Sequence, residues 1–543
     1  MPSTSGPVDP LHRESGPSTA WTRVNIAEGI PGVSTPLNWS WWDDANERMI
    51  RGAYRDIGVL SSVEPADVHH ADERASAIFY GRPALNLDFS RRLADLQPGT
   101  SGEALERHYF GAVRPDAASS PSRRRYPVIA LRMPGQWWRV PGLLRASYAE
   151  SLRFWQSVVA PGMAGEESRA LADLERARAT LFEARRRFER IARPHSVLAL
   201  LGGALMQQVT LLAEAAGRSE RVLEALGGYD SIEFETLKDL IAVRRGELGL
   251  AEFLRVRGYQ GPQQGELSST SWREDPAPIR ALLESLDAND GRVATIAPER
   301  ALRRTQAEDS IASGLSPLRR AFARWLFREA ARMLPERESG KAAMMLCLDA
   351  ARAAARRIGL EHARMGRLED PEDVFHLTLD EIESPRIGEV RERVAQRRAQ
   401  REAYLALELP DSWIGMVVPL STQARAGDSP LAGLGVSAGV AEGCVRVVAD
   451  GAGELHPGEI LVCTATDPSY AAYFLVAAGV ITDIGGAMGH GAIVAREVGI
   501  PCVVNTRDAT RRLCTGDRVR LDGTTGSIEI LARAAPQPDG GVP

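Results

Sequence analysis

The chain has 543 residues, 44% hydrophobic and 25% charged, with a formal net charge of −5. That length is too great for one core and predicts about two to four domains of ordinary soluble composition. The charge balance offers no basic field for nucleic acid, and no apolar run approaches the roughly 20 residues that span a bilayer, so neither is an expected partner. Five cysteines at 347, 444, 463, 502 and 514 form no Cys-x-x-Cys pair, which predicts no metal site and a reducing, cytoplasmic location.

In chain order, residues 1–20 are rich in Pro, Ser and Gly without the apolar core of a signal peptide, which predicts a disordered tail. Between Trp21 and Trp42 the prolines argue against a long helix, and Trp39, Trp41 and Trp42 crowd the end as an aromatic packing plug. From about Ser151 to Leu250 the pattern turns helical. Leu171, Leu174, Ala177, Leu181 and Phe182 form an apolar stripe among charges, and His195 to Ala215 reads as a buried helix. A glycine turn at Arg255 to Pro262 carries the neutral neighbours Tyr259 and Gln260, with Glu266-Leu267 and Trp272-Arg273-Glu274-Asp275-Pro276 after it.

Leu318 to Gly359 is helical again, and within it Arg337 and Lys341 fall at i and i+4 on one face. Two cations so placed repel unless an anion sits between them; solvated surface charges are the plainer reading of the spacing. Gly340-Lys341 is no P-loop, because Pro335 stands where the first glycine belongs and no Ser or Thr follows the lysine. The acid-Pro start of Leu368 to Thr378 reads as a helix N-terminus with a structural His376, and Arg386 to Leu407 as a charged amphipathic helix. Residues 421–430 suit a hinge. Short β-branched strands between glycine turns then predict a compact α/β domain over 431–531, before a flexible tail over 532–543.

Inside that last domain a strand-like run is followed by Gly485-Gly486-Ala487-Met488-Gly489-His490-Gly491, then by helical spacing from Ala492 and the β-branched pair Val503-Val504. Strand, glycine loop, helix, strand is the expected order. Gly485, Gly486, Gly489 and Gly491 shape a loop that lets a bulky partner approach His490 at a helix N-terminus, where free N–H groups and the dipole favour an anion. An imidazole so placed can cap the helix, carry a phosphoryl group as a nucleophile, or move a proton.

The run Gly485 to Glu497 resembles the phosphohistidine motif of the PEP-utilising enzymes, a family of rifampin phosphotransferase-like and PEP synthase-like proteins. The resemblance implies a swivelling domain in which His490 carries phosphate between a nucleotide site and an acceptor site. It departs from the family at Gly489, where a Ser or Thr is usual. The segment Trp21 to Trp42 and the phrase Tyr80 to Leu87 are similar to the family's acceptor-side domain, and Arg337-Glu338-x-x-Lys341 resembles its phosphate-receiving basic pair. The turn at Tyr259 and Gln260 usually holds His and Arg, so these two residues are candidates for altered substrate contact. The implied class is multidomain α+β: a large, mainly helical acceptor-like domain over 21–420 followed by a small α/β (β/β/α) swivelling domain.

The family's ATP-grasp domain has no counterpart within these residues, so no cofactor is expected on this chain alone. ATP and Mg would come with an ATP-grasp partner protein. Two functions follow as expectations. The first is the acceptor-plus-carrier part of a split phosphotransferase, passing a phosphoryl group through His490 to a small organic hydroxyl substrate. The second is an ATP-independent dehydratase, isomerase or cyclase acting on a natural-product-like substrate, with His490 as general acid/base, suggested by the departures at Gly489, Tyr259 and Gln260.

Overall fold

A 48-residue helix, Pro317–Arg364, is the longest element among the described residues. Pro317 opens it because a first-turn proline gives up an N–H that had no partner anyway. Every residue from Ala342 to Arg352 is buried, so this stretch is apolar nearly all round, as a helix inside a core must be. The Tyr126–Met163 and Leu174–Ala215 helices pack along it, and Pro36–Asp56 packs on the second of these.

The computed structural model describes residues 9–24, 26–30, 32–61, 70–110, 114, 119–163, 169–229, 232–285, 292–383, 390–420, 430–448, 455–466, 470, 473–486 and 489–534. They fall into two units. The first takes residues 1–222, 264–273 and 308–420, and the second takes 223–263, 274–307 and 421–543.

One buried carboxylate fastens the first unit. Asp349 is fully buried and accepts from Arg352 Nη1 at 2.5 Å, Arg273 Nε at 2.6 Å and Trp155 Nε1 at 2.7 Å. Burial alone would raise its pKa; Arg273 and Arg352 outweigh that and hold it below the ordinary value. Arg352 goes on to donate to the carbonyls of Gln264, Glu266 and Leu267. The segment 264–273 is thereby bolted to a helix some eighty residues away in sequence. Within it Glu266 is buried and accepts from the Thr35 hydroxyl at 2.7 Å, while a side chain at Gly265 would collide with the Gly29 carbonyl.

A small antiparallel sheet completes this unit, from β1 (Ala20–Thr22), β2 (Ser76–Phe79), β3 (Arg82–Asn86) and β4 (Ser412–Ile414) in the order β2-β3-β1-β4. Trp21, Phe79 and Trp413 meet edge to face on it. Three expectations need correction. Residues 9–20 are packed rather than disordered: Leu11 is buried, Arg13 pairs with Asp43 at 2.7 Å, and Tyr404 Oη donates to Asp9 at 2.6 Å. Pro36 begins a 21-residue helix instead of preventing one, with the Thr35 hydroxyl capping Asn38 N–H, and that helix carries all three tryptophans. The Leu174–Ala215 helix contains an 18-residue window of mean hydropathy 1.6, long and apolar enough to cross a bilayer by composition, although it is packed among its helical neighbours.

The second unit holds an eight-stranded sheet from β5 (Leu431–Ala432), β6 (Leu434–Ser437), β7 (Val440–Val447), β8 (Ile460–Cys463), β9 (Gly479–Thr482), β10 (Cys502–Val504), β11 (Arg518–Asp522) and β12 (Ser527–Ala532). Its order is β5-β12-β11-β7-β8-β9-β10-β6. The pairs from β7 to β10 are parallel and the flanking pairs antiparallel. Crossovers cover the parallel strands, so β8, β9 and β10 are buried along their whole length. The class, helical first part and C-terminal sheet, agrees with the expectation. The boundary does not: residues 223–263 and 274–307, expected in a single body over 21–420, belong with the sheet. Residues 421–429 of the expected hinge and 535–543 of the expected tail lie outside the described residues, while Ala534 N–H still donates to Asp517 at 2.8 Å.

Replacing Asp349 by Ala strands two buried guanidinium groups and should destabilise the first unit by about 3–5 kcal/mol in denaturant unfolding. An unchanged midpoint would show that the network is not what holds segment 264–273. His376 gives a pH prediction. Burial, then Arg401 and Arg398, push its pKa down from 6.5 to about 4, so the fold keeps it neutral while the unfolded chain takes up a proton. Stability should therefore fall as pH drops from 6.5 towards 4, by on the order of 1 kcal/mol after allowing for its partial exposure. His376→Gln should flatten that limb of the stability profile.

Candidate functional site

The histidine loop begins where β9 ends. Thr482 Oγ1 donates to the Ile484 carbonyl at 2.9 Å, and Asp483 turns its carboxylate inward to accept from Thr510 N–H at 3.0 Å and from the hydroxyls of Thr506 and Thr510. Burial raises the Asp483 pKa, and these hydrogen bonds offset it only in part. The effect is to tie the strand end to the segment after β10.

The four glycines answer to different demands. A Cβ at Gly485 would sit 2.9 Å from Val504 Cβ, so the loop can lie against β10 only without a side chain there. Gly486 offers its carbonyl to Gly489 N–H at 2.9 Å. Gly489 is the N-cap, at φ −69° and ψ 163°, an extended backbone open to any residue. A Cβ at Gly491 would come within 2.6 Å of Thr466 Oγ1, so this glycine admits a buried threonine hydroxyl from the β8 side against the first helical turn. Ala487 and Met488 lie outside the described residues.

His490 is the first residue of the His490–Val498 helix, which stops at Gly499 in the left-handed conformation, φ 79°. The first-turn N–H groups lack helical partners and point where an anion would sit. The last turn is held separately. Glu497 pairs with Arg300 at 2.9 Å, both side chains being about 5–6% exposed. Arg300 lies 4.3 Å over the Phe234 ring and also donates to the Tyr229 carbonyl. Phe234 belongs to the Ile232–Arg244 helix and Arg300 to the Arg292–Ser313 helix.

Tyr259 and Gln260 follow the Leu250–Arg257 helix, and the structure buries both to 2% exposure. Gln260 Nε2 donates to Thr236 Oγ1 at 3.3 Å and approaches the Tyr259 hydroxyl at 3.4 Å. Neither side chain is open to solvent here: neutral side chains that hydrogen-bond one another can be packed inside, where charged ones would need a counter-ion.

Arg337 and Lys341 do share a face of the Pro317–Arg364 helix, both half-buried, in the first unit. Arg337 Nε donates to Glu338 Oε1 at 3.1 Å. Lys341 makes no ion pair among the described residues. Sequence reasoning missed their third neighbour. His195, from the Leu174–Ala215 helix, inserts at Gly340, where a Cβ would meet His195 Nδ1 at 2.9 Å and Leu144 at 3.1 Å. That Nδ1 is buried without a hydrogen-bond partner. Burial, then Arg337 and Lys341, push the His195 pKa down to about 4, against the opposing pull of Glu338 and of a hydrogen bond to the Arg337 backbone. The available signal was Gly340 itself: a mid-helix glycine between two cations costs about 1 kcal/mol against alanine, which implies a close neighbour.

Residues 455–526 match the family described as PEP-utilising enzyme, mobile domain, and residues 203–338 match the rifampicin phosphotransferase fourth domain. A rifampicin phosphotransferase of Streptomyces sviceus is 44% identical over 176 residues, 31% of this chain and 20% of that protein. Another, from a Streptomyces species, is 42% identical over 216 residues, 39% of this chain and 25% of that protein. An uncharacterised protein of Mycobacterium tuberculosis is 34% identical over 343 residues, 62% of this chain and 37% of that protein. The chain thus spans well under half the length of these relatives. The histidine loop lies in the first match; Arg337 lies at the end of the second, and Lys341 just beyond it.

Gly491→Ala should destabilise the second unit by about 1–3 kcal/mol through its clash with Thr466. Adding Thr466→Ala should recover part of that loss in the same unfolding measurement; no recovery would mean that the glycine is needed for another reason.

Proposed function

We propose that this chain, which carries the mobile domain of the PEP-utilising enzymes, is the acceptor-plus-carrier part of a phosphotransferase. The observation that carries this reading is the placement of His490 at the start of a helix, behind a glycine loop, inside the mobile-domain match. A phosphoryl group from ATP would be loaded onto the imidazole by a nucleotide-binding component outside these residues, an ATP-grasp partner with its Mg. The hydroxyl oxygen of a small organic acceptor would then attack phosphorus as the N–P bond breaks. The N–P electron pair returns to the ring, which takes up a proton, in net terms the one the hydroxyl gives up, and so leaves as neutral imidazole. Arg337 would offer a bidentate fork and Lys341 a point charge to the phosphoryl oxygens. ATP supplied by such a partner would put the reaction in the cytoplasm.

Burial of Tyr259 and Gln260 weighs against their direct contact with a substrate and so lends the acid–base reading without ATP less support. Gly489 keeps the dehydratase, isomerase or cyclase reading open, because no hydroxyl precedes the histidine.

The test is labelling with ATP radioactive at the β and γ phosphates, using the full chain with extract of its source cells. We expect base-stable, acid-labile label on the wild type and none on His490→Ala. Lys341→Ala should still be labelled but pass phosphate on roughly 10²–10³-fold more slowly. If no fraction of the extract labels the wild type, phosphotransfer is wrong and His490 belongs to the acid–base reading.

A further inference from the structure

We infer that His195 completes an oxyanion site with Arg337 and Lys341, resting in the notch at Gly340 and becoming a hydrogen-bond donor when the anion arrives. The inference rests on the reading of Arg337 and Lys341 as a phosphoryl site, and deepens it.

Arg337, Gly340 and Lys341 succeed one another around a single helix face, and the missing Cβ at Gly340 is what lets the imidazole of His195 lie between the two cations. Its Nδ1 is buried with no hydrogen-bond partner, a desolvation cost that a merely structural residue of the same size could avoid. The charged groups facing it are Arg337, Glu338 and Lys341, all from the Pro317–Arg364 helix. The Tyr126–Met163 helix presents Leu144 at the notch, and its Arg145 is engaged with Glu336. On the imidazole's own helix, Arg193 is paired with Asp56.

Two cations and one carboxylate leave a surplus positive charge beside a neutral ring. That surplus favours an anion and, while the site is empty, disfavours a proton on His195. A dianion reverses the sign. A second negative charge overcompensates the surplus, the proton affinity of the imidazole rises, and a proton taken from solvent makes donors of both ring nitrogens of His195. A singly charged carboxylate would only neutralise the surplus. The arrangement therefore selects for dianionic oxyanions such as phosphoryl groups, and it links their binding to proton uptake. His195 acts as a positioning residue, one that adjusts the site's charge to its occupant.

Inorganic sulfate is the probe, because it stays a dianion throughout the useful pH range and any pH dependence must belong to the protein. With an opposite charge moving the His195 pKa by about 2 units, sulfate should bind the full-length chain about ten-fold more tightly near pH 5 than near pH 7 by calorimetry. Lys341→Met should abolish binding, and His195→Gln should bind with no such pH dependence. Long-range proton–nitrogen spectra of the histidine-labelled wild type near pH 5 should show the His195 ring change from neutral to protonated as sulfate is added. This readout does not depend on the variant folding. Sulfate binding that needs Lys341 but leaves the His195 ring neutral overturns this inference and spares the phosphoryl site. Absence of sulfate binding at any pH overturns both.

Discussion

Asp349 sets the terms for the first unit. A carboxylate with no exposed surface must be fully partnered, and its partners come from three places: Arg352 one turn along its own helix, Trp155 from a neighbouring helix and Arg273 from a segment far away in sequence. Because Arg352 also holds the carbonyls of that segment, the charge network decides the chain path as well as the packing. The Ala-rich stretch around Asp349 lets the flanking helices come close enough for these bonds to form. The half-buried basic face with Arg337 and Lys341 lies on the same long helix, about two to three turns earlier, so its position is inherited from the same anchor.

In the second unit the controlling features are close approaches at the ends of parallel strands. The loop before His490 is shaped by what it must touch: Val504 at Gly485, Thr466 at Gly491, and the threonines that satisfy Asp483. The crevice beyond the carboxyl ends of parallel strands is where open α/β sheets present ligands, and His490 follows β9 at that edge. The glycines supply room and the helix start supplies N–H groups. Chemistry then depends on what reaches the imidazole.

Much of this was legible in the sequence wherever the signal was local. The strands β7, β8 and β11, the helix beginning at His490 and the shared face of Arg337 and Lys341 follow from periodicity and turn residues. Pro36 was misread because a proline that breaks a helix and one that begins it differ only in whether Thr35 caps the next turn. The burial of Tyr259 and Gln260 was not legible, because Thr236, the partner of Gln260, lies two dozen residues earlier and mutual hydrogen bonding is invisible in a linear pattern. His195 escaped for a similar reason: its meaning comes from Gly340, on a different helix. The assignment of residues 223–263 and 274–307 was beyond sequence reasoning, since a helix does not announce which sheet it will serve.

The Arg300–Glu497 pair bears on how this protein could be taken apart. Reading the chain left to right suggests a detachable C-terminal module that could be cut near residue 421 and transplanted. Yet Glu497, on the helix that His490 begins, finds its counter-charge on Arg300, which sits against Phe234, both far upstream. A fragment starting at the sheet would leave a carboxylate stripped of its cation and a formerly covered face open to water. The natural joint lies elsewhere, and the helices of 223–263 and 274–307 must travel with the sheet for the histidine-bearing piece to remain whole.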